Sequence, residues 1–295
     1  MPLTDKVLRF LVNRIPIKTL KSELRRLIFM KYNFYGNENK AIYSVSGENI
    51  LWSMKGLRIQ VEGNNNLIIF GQNTKFKNTR INISGNHNFI IIADETKFTD
   101  SQIEIDGNNN KINIANNLIF ESTLLSMCGY KNLFVIKPTK HKIRDAKLYI
   151  SGSGRLYIDK NSQLKNRGLY IVVSDSYKKR NKLVIGKNVF IAKDAIIRTS
   201  DGHTLVDPAT GLATNEPQDI IIGNNVWIAS RCIILKGSYI PDNSMVAAGS
   251  LVNKKFKDTN IMLAGTPAKI IRKNIIWDVR GYGKYMRDFE GNKNV

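Results

Sequence analysis

Cysteine is nearly absent from this 295-residue chain: Cys128 and Cys232 are the only two. Two thiols cannot build a disulfide framework, and so low a count fits a reducing compartment. Long apolar runs are also missing. The longest, such as Phe89–Ile92 and Leu169–Val173, fall far short of the ~18 residues that a membrane span needs. The basic N-terminus is interrupted by Lys and Arg throughout and is followed by no small-residue cleavage site, so a secretory signal is not expected. Acidic residues are scarce as well, 24 against 45 Lys and Arg, giving a formal net charge of +21. That excess implies anionic company: an acidic polymer, anionic lipid, nucleic acid or a phosphorylated cofactor. Hydrophobic residues nonetheless make up 42%, which excludes general disorder.

What the chain has in quantity is repetition. Gly63, Gly85 and Gly107 each open a Gly-Asn-x-Asn sequence, 22 residues apart; Gly129 keeps the register and Gly152 follows after 23. Phe70, Ile92 and Ile114 repeat with the same step, as do Phe76, Phe98 and Phe120, and Ile81, Ile103 and Leu125. Short alternating segments lie between them, the period-2 signal of half-buried strands. Gly and Asn suit the corners because both tolerate positive φ. The period then shortens. Ile185, Ile191 and Ile197, and after an interruption Ile222, Ile228, Ile234, Ile240, Val246 and Val252, follow in steps of six. Four residues after most of them stands a modest side chain: Val226, Cys232, Ser238, Ser244 and Ser250. Six-residue strand-plus-corner units, three to a coil, stack aliphatic side chains inward in a triangular prism. The fold class is therefore all-β, a parallel β-helix solenoid.

Four regions follow. Residues 1–45 form a basic amphipathic helical cap or extension, with nine Lys and Arg against three acids in residues 1–40. Apolar spacing over 4–31, broken by Pro16, suggests helices that cover the first coil, or that touch anionic membrane through residues 1–31. Residues 46–183 form the solenoid of 22-residue coils, 184–273 the hexapeptide region, and 274–295 a tail. Trp277, Tyr282, Tyr285 and Phe289 are expected to pack that tail back on the solenoid or on a neighbouring subunit.

The hexapeptide beat stops from Arg198 to Asp219, and a loop this long inside a solenoid is usually functional. It holds His203, one of three histidines. Four segments carry a family resemblance: Ser200-Asp-Gly-His203, Ile222-Gly-Asn-Asn-Val-Trp-Ile228, Val246-Ala-Ala-Gly-Ser-Leu-Val252 and Ala264-Gly-Thr-Pro-Ala-Lys-Ile-Ile-Arg272. Over about 184–273 the chain closely resembles the hexapeptide-repeat acyltransferases, in particular the sugar O-acetyltransferases. The resemblance implies a left-handed β-helix, a homotrimer, and acetyl-CoA as acyl donor in grooves between adjacent subunits. It implies no metal.

Carried over to this sequence, the resemblance makes His203 the catalytic base and the Ser230 backbone N–H the oxyanion donor. A sugar hydroxyl is a poor nucleophile whose proton must leave as it attacks a thioester, and an imidazole can accept it near neutral pH. A tetrahedral oxyanion needs a fixed donor. Asp201 or Asp207 could orient the imidazole, and the sequence does not choose between them. By the same resemblance Trp227 lines the acceptor wall. The small Ala229, Ser230, Ala247 and Ala248 let the pantetheine arm lie against the backbone, and Lys254, Lys269 and Arg272 meet the cofactor phosphates.

Residues 137–182 hold thirteen Lys and Arg against three Asp, in clusters near every twentieth residue. Such spacing suggests one basic stripe along the prism. Its end at Lys178, Lys179 and Arg180 would guide an anionic glycan acceptor towards His203. No helix-turn-helix, zinc or RNA-binding signature suggests nucleic acid as a partner. The reading is thus an acetyl-CoA-dependent O-acetyltransferase of a bacterial capsular or lipopolysaccharide glycan or its precursor, cytoplasmic, at most peripheral to the inner face of the membrane. N-acetylation of an amino sugar and a non-enzymatic carbohydrate-binding solenoid are the alternatives. A carbonic anhydrase on the same fold would need a three-His zinc site, and His87, His141 and His203 lack its spacing.

Overall fold

The structure is a computed structural model that describes residues 33–35, 40–43, 56–164, 167–175 and 179–291, the first two stretches as backbone only. The expected N-terminal helices and Lys178 lie outside the described residues. Three parallel sheets form the faces of a prism. The first face has ten strands, from Asn33–Tyr35 to Leu251–Val252, and the second nine, from Lys40–Tyr43 to Tyr239–Ile240. The third face comes in segments of four and five strands, with a bridge from Gln163 to Phe190 between them. All strand pairs are parallel except the closing hairpin, Ile261–Gly265 with Ala268–Lys273.

The repeats predicted from spacing become physical columns. Phe76, Phe98 and Phe120 sit in register, and their rings stack at 5.5 and 4.7 Å between centroids. All nine hexapeptide positions from Ile185 to Val252 are buried, as are Val226, Cys232, Ser238, Ser244 and Ser250. Each aliphatic side chain so buried contributes about 1.5–3 kcal/mol, and the columns together form one continuous core along the prism. Burial also pushes the Cys232 thiol pKa up.

The corner between the first and second faces is built from backbone and asparagine. Asn88, Asn110 and Asn132 are buried there, and each side-chain amide donates to the Oδ1 of the asparagine one coil earlier at 2.9–3.0 Å. A Cβ on Gly85, whose φ is +126°, would lie 2.1 Å from the Gly107 carbonyl oxygen. Only glycine lets successive coils close to strand spacing here.

Among the described residues, one helix lies beyond the prism, from Tyr282 to Gly291, and buries none of its residues. The tail packs back through Trp277 instead. Its Nε1 donates to the Asn225 carbonyl at 2.5 Å, and its ring lies 6.0 Å from Trp227 and 6.2 Å from Phe190. No helix among the described residues is long and apolar enough to cross a membrane.

Candidate active site

The 22-residue interruption leaves the corner between the first and second faces as an exposed loop. It is closed on itself: Val206 bridges Ala213, and Thr214 N donates to Leu205 O at 2.8 Å. His203 is held through its backbone, for Asn215 Nδ2 donates to its carbonyl at 2.7 Å and to Asp201 Oδ2 at 2.9 Å. Lys236, one coil further on, donates to Asp201 Oδ2 at 2.5 Å and to Asn215 O at 2.8 Å. This lysine side chain is only 19% exposed, and its hydrogen bond holds the Asp201 carboxyl below the ordinary carboxylate range. The loop is therefore fastened to the prism at the turn that carries the histidine.

Both candidate orienting carboxylates are engaged elsewhere. Asp201 serves Lys236 and Asn215, while Asp207 accepts the Ala209 N–H at 2.8 Å and shapes its own turn. Neither is bonded to the imidazole, which projects from an exposed position. Asn215 and Lys236 fix this turn, and sequence reasoning missed both. Only the coil-to-coil register makes Lys236 a neighbour of Asp201, across 35 residues.

The other expected elements gather at the opposite edge of the first face. Ala192, Ala229 and Ala247 stack on successive coils at the corner between the third and first faces: Ala192 N donates to Ile228 O, Ala229 N to Val246 O and Ala247 N to Leu263 O. Ser230 and Ala248 follow on the same corner, with Gly249 N donating to Ser230 O at 3.0 Å. Amides on either side of Ser230 bond to adjacent coils, whereas the Ser230 N–H has no partner among the described residues. Lys269 and Arg272 lie on the hairpin strand that continues the third face beyond this corner. Lys254 follows the last strand of the first face, with its ammonium 5.3 Å from the Phe256 ring centre. In one chain, then, the His203 corner and the Ser230 corner are separated by the width of the first face.

Trp227 stands on the third face and packs against Trp277, a placement that leaves its expected acceptor-wall role as a proposal. One expectation, the single basic stripe, is corrected. The basic clusters do not form one stripe, because coil length varies between residues 137 and 190. Lys142 and Arg144 lie on the third face, paired with Glu121 at 2.5 and 2.6 Å. Lys179 and Arg180 lie at the His203 corner, where Lys179 pairs with Asp219 at 3.1 Å and Arg180 donates to the Ser153 and Lys131 carbonyls.

The parallel β-helix that carries the His203 loop and the alanine ladder is a fold shared with known acetyltransferases. No protein-family profile matches the sequence. The galactoside O-acetyltransferase of Escherichia coli K12 is 35% identical over 148 residues, 50% of this chain and 67% of that protein. A polysialic acid O-acetyltransferase of Escherichia coli O1:K1 is 37% identical over 95 residues, and the match spans only 31% of its length and 32% of this chain. Among solved structures, the polysialic acid O-acetyltransferase OatWY superposes with a TM-score of 0.57 at 26% identity, covering 81% of this chain and 98% of that one. The polySia-specific acetyltransferase NeuO has the same fold, at a TM-score of 0.58 and 24% identity. The chain belongs to the hexapeptide-repeat O-acetyltransferases and has their left-handed β-helix.

Proposed function

We propose that this protein transfers an acetyl group from acetyl-CoA to a hydroxyl of a bacterial surface glycan, capsular or lipopolysaccharide, or of its precursor. The observation that carries the reading is the fastened loop that presents His203 on a scaffold of O-acetyltransferase type. The imidazole removes the hydroxyl proton as the oxygen attacks the thioester carbonyl carbon. The resulting oxyanion faces the Ser230 N–H. The C–S bond then breaks, the acetyl group stays on the sugar oxygen, and the imidazolium returns its proton to the departing thiolate. General-base assistance of this kind supplies about 10²–10⁴-fold, and removal of one oxyanion donor typically costs about 10²–10³-fold.

Acetyl-CoA would lie along the Ala229, Ser230, Ala247 and Ala248 corner, where small side chains admit the pantetheine arm. Lys269 and Arg272, with Lys254, would meet its phosphates. Because His203 and Ser230 occupy different corners of one prism, the working site joins the loop of one subunit to the alanine corner of the next, in a homotrimer. Flat repetitive faces suit such cyclic association. Lys179 and Arg180 at the His203 corner would meet an anionic acceptor.

The test is incubation with acetyl-CoA and a panel of capsule and lipopolysaccharide fragments, read by mass. A fragment that gains one acetyl group with release of one thiol supports the reading. Binding of fragments with no thiol released would make the protein a carbohydrate-binding solenoid instead.

A further inference from the structure

Arg198 ends a strand of the first face, immediately before the turn that presents His203, with its side chain pointing outward between coils. Its neighbours in register on either side are apolar, Val172 and Leu235. The side chain is partly buried, and its Nε is buried without any hydrogen-bond partner. The guanidinium reaches beneath the turn: a Cβ on Gly202 would lie 2.9 Å from its terminal nitrogen. Gly202 adopts a φ of +89°, which only glycine takes readily, and folds the turn down over the charge. Asp201 feels this charge, yet Lys236 and Asn215 hold its carboxylate. No ion pair of Arg198 occurs among the described residues, although six lysines and arginines of residues 137–236 each have one.

A permanently charged, forked donor between two aliphatic side chains is costly unless an anion arrives. We infer that Arg198 is the anchor for a carboxylate on the acceptor sugar, one that sits beside the hydroxyl presented to His203. The inference rests on the acetyl-transfer reading of the site. Donor chemistry argues against the alternative anion, since the phosphates of acetyl-CoA lie at the far end of the pantetheine arm from the reacting thioester. An anion bound beside the base therefore belongs to the acceptor. Guanidinium and carboxylate form paired parallel hydrogen bonds, which fix orientation as well as affinity. The anchor would thereby select which hydroxyl meets the imidazole.

The experiment compares a carboxylate-bearing oligosaccharide with its methyl ester, using full-length protein and acetyl-CoA. The wild-type protein should prefer the acid over the ester by about tenfold or more in kcat/KM, as expected for a charge-assisted pair. R198Q should collapse that ratio towards one, and R198K should restore part of it, because an ammonium keeps the charge but not the planar fork. Equal use of acid and ester by the wild-type protein overturns the inference whether or not any variant folds. A ratio that survives in R198Q overturns it too, as does a rise confined to the KM for acetyl-CoA. If neither acceptor releases thiol, the acetyl-transfer reading fails. Binding of the acid to wild-type protein and R198Q, measured by calorimetry, then decides the anchor separately: loss in R198Q upholds it, and equal binding removes it.

Discussion

Lys236 Nζ lies 2.5 Å from Asp201 Oδ2, a contact across 35 residues that fastens the histidine loop to the next coil. Replacing Lys236 by Met should free the turn while keeping the aliphatic stem. We expect kcat to fall by about tenfold to a hundredfold, the scale of a misplaced reacting group, with the melting temperature little changed. Wild-type kcat in K236M would show that the tether does not position His203. The same pair sets an acid limit. Asp201 has a depressed pKa in the folded chain, so its tether is fully present above the ordinary carboxylate value of ~3.9 and weakens as pH falls below it. At neutral pH the loop should show no loosening from this group, which hydrogen exchange of the loop amides across pH can follow.

Trp277 closes the third face over Trp227 and Phe190. Trp277→Ala should destabilise the last coils by about 1–2 kcal/mol, within the range of partly buried aromatic losses. Denaturant unfolding measures it, and an unchanged midpoint would mean that the tail contributes nothing to the prism.

Gly107→Ala should be far more damaging. Its φ is +134°, and a Cβ there would lie 2.0 Å from the Gly129 carbonyl oxygen. Coils would have to separate, and we expect a loss of about 4 kcal/mol or more, in the exceptional range for one substitution. A thermal melt that coincides with the wild-type curve would contradict this account of coil closure.

Subunit mixing tests the proposal that each site is shared between two subunits of a trimer. His203→Ala lacks the proposed base, and Ala248→Trp obstructs the alanine corner. Each alone should be inactive, while refolded mixtures should recover part of the activity, because some sites in a mixed trimer pair an intact loop with an intact corner. No recovery, in mixtures shown by sedimentation to be trimers, would place both elements in one subunit's site.

The prism was legible in the sequence because its signals are local and periodic. Isoleucines in steps of six, and glycines in steps of 22, can only stack if each step is one unit of a coil. The loop that holds His203 was legible for a similar reason, as an insertion in a strict beat, while the role proposed for His203 came from the family resemblance. The surroundings of the site were not. Lys236 and Asn215 act through contacts that only the register of coils creates, and neither spacing marks them. The basic clusters misled because a spacing near twenty matches one stripe only while coil length stays constant, and it does not between 137 and 190. The contact of Trp227 with Trp277 was not legible, because Trp277 comes from the tail, outside any repeat.

The central claim is that His203 is the base of a sugar O-acetyl transfer. It is tested most directly by kcat for His203→Ala, measured as thiol released from acetyl-CoA in the presence of a saturating acceptor. The imidazole is exposed, so the variant should melt within about 0.5 kcal/mol of the wild-type protein and bind CoA unchanged. Its kcat should fall by about 10²–10⁴-fold. A folded variant that binds CoA and turns over at the wild-type rate would contradict the account.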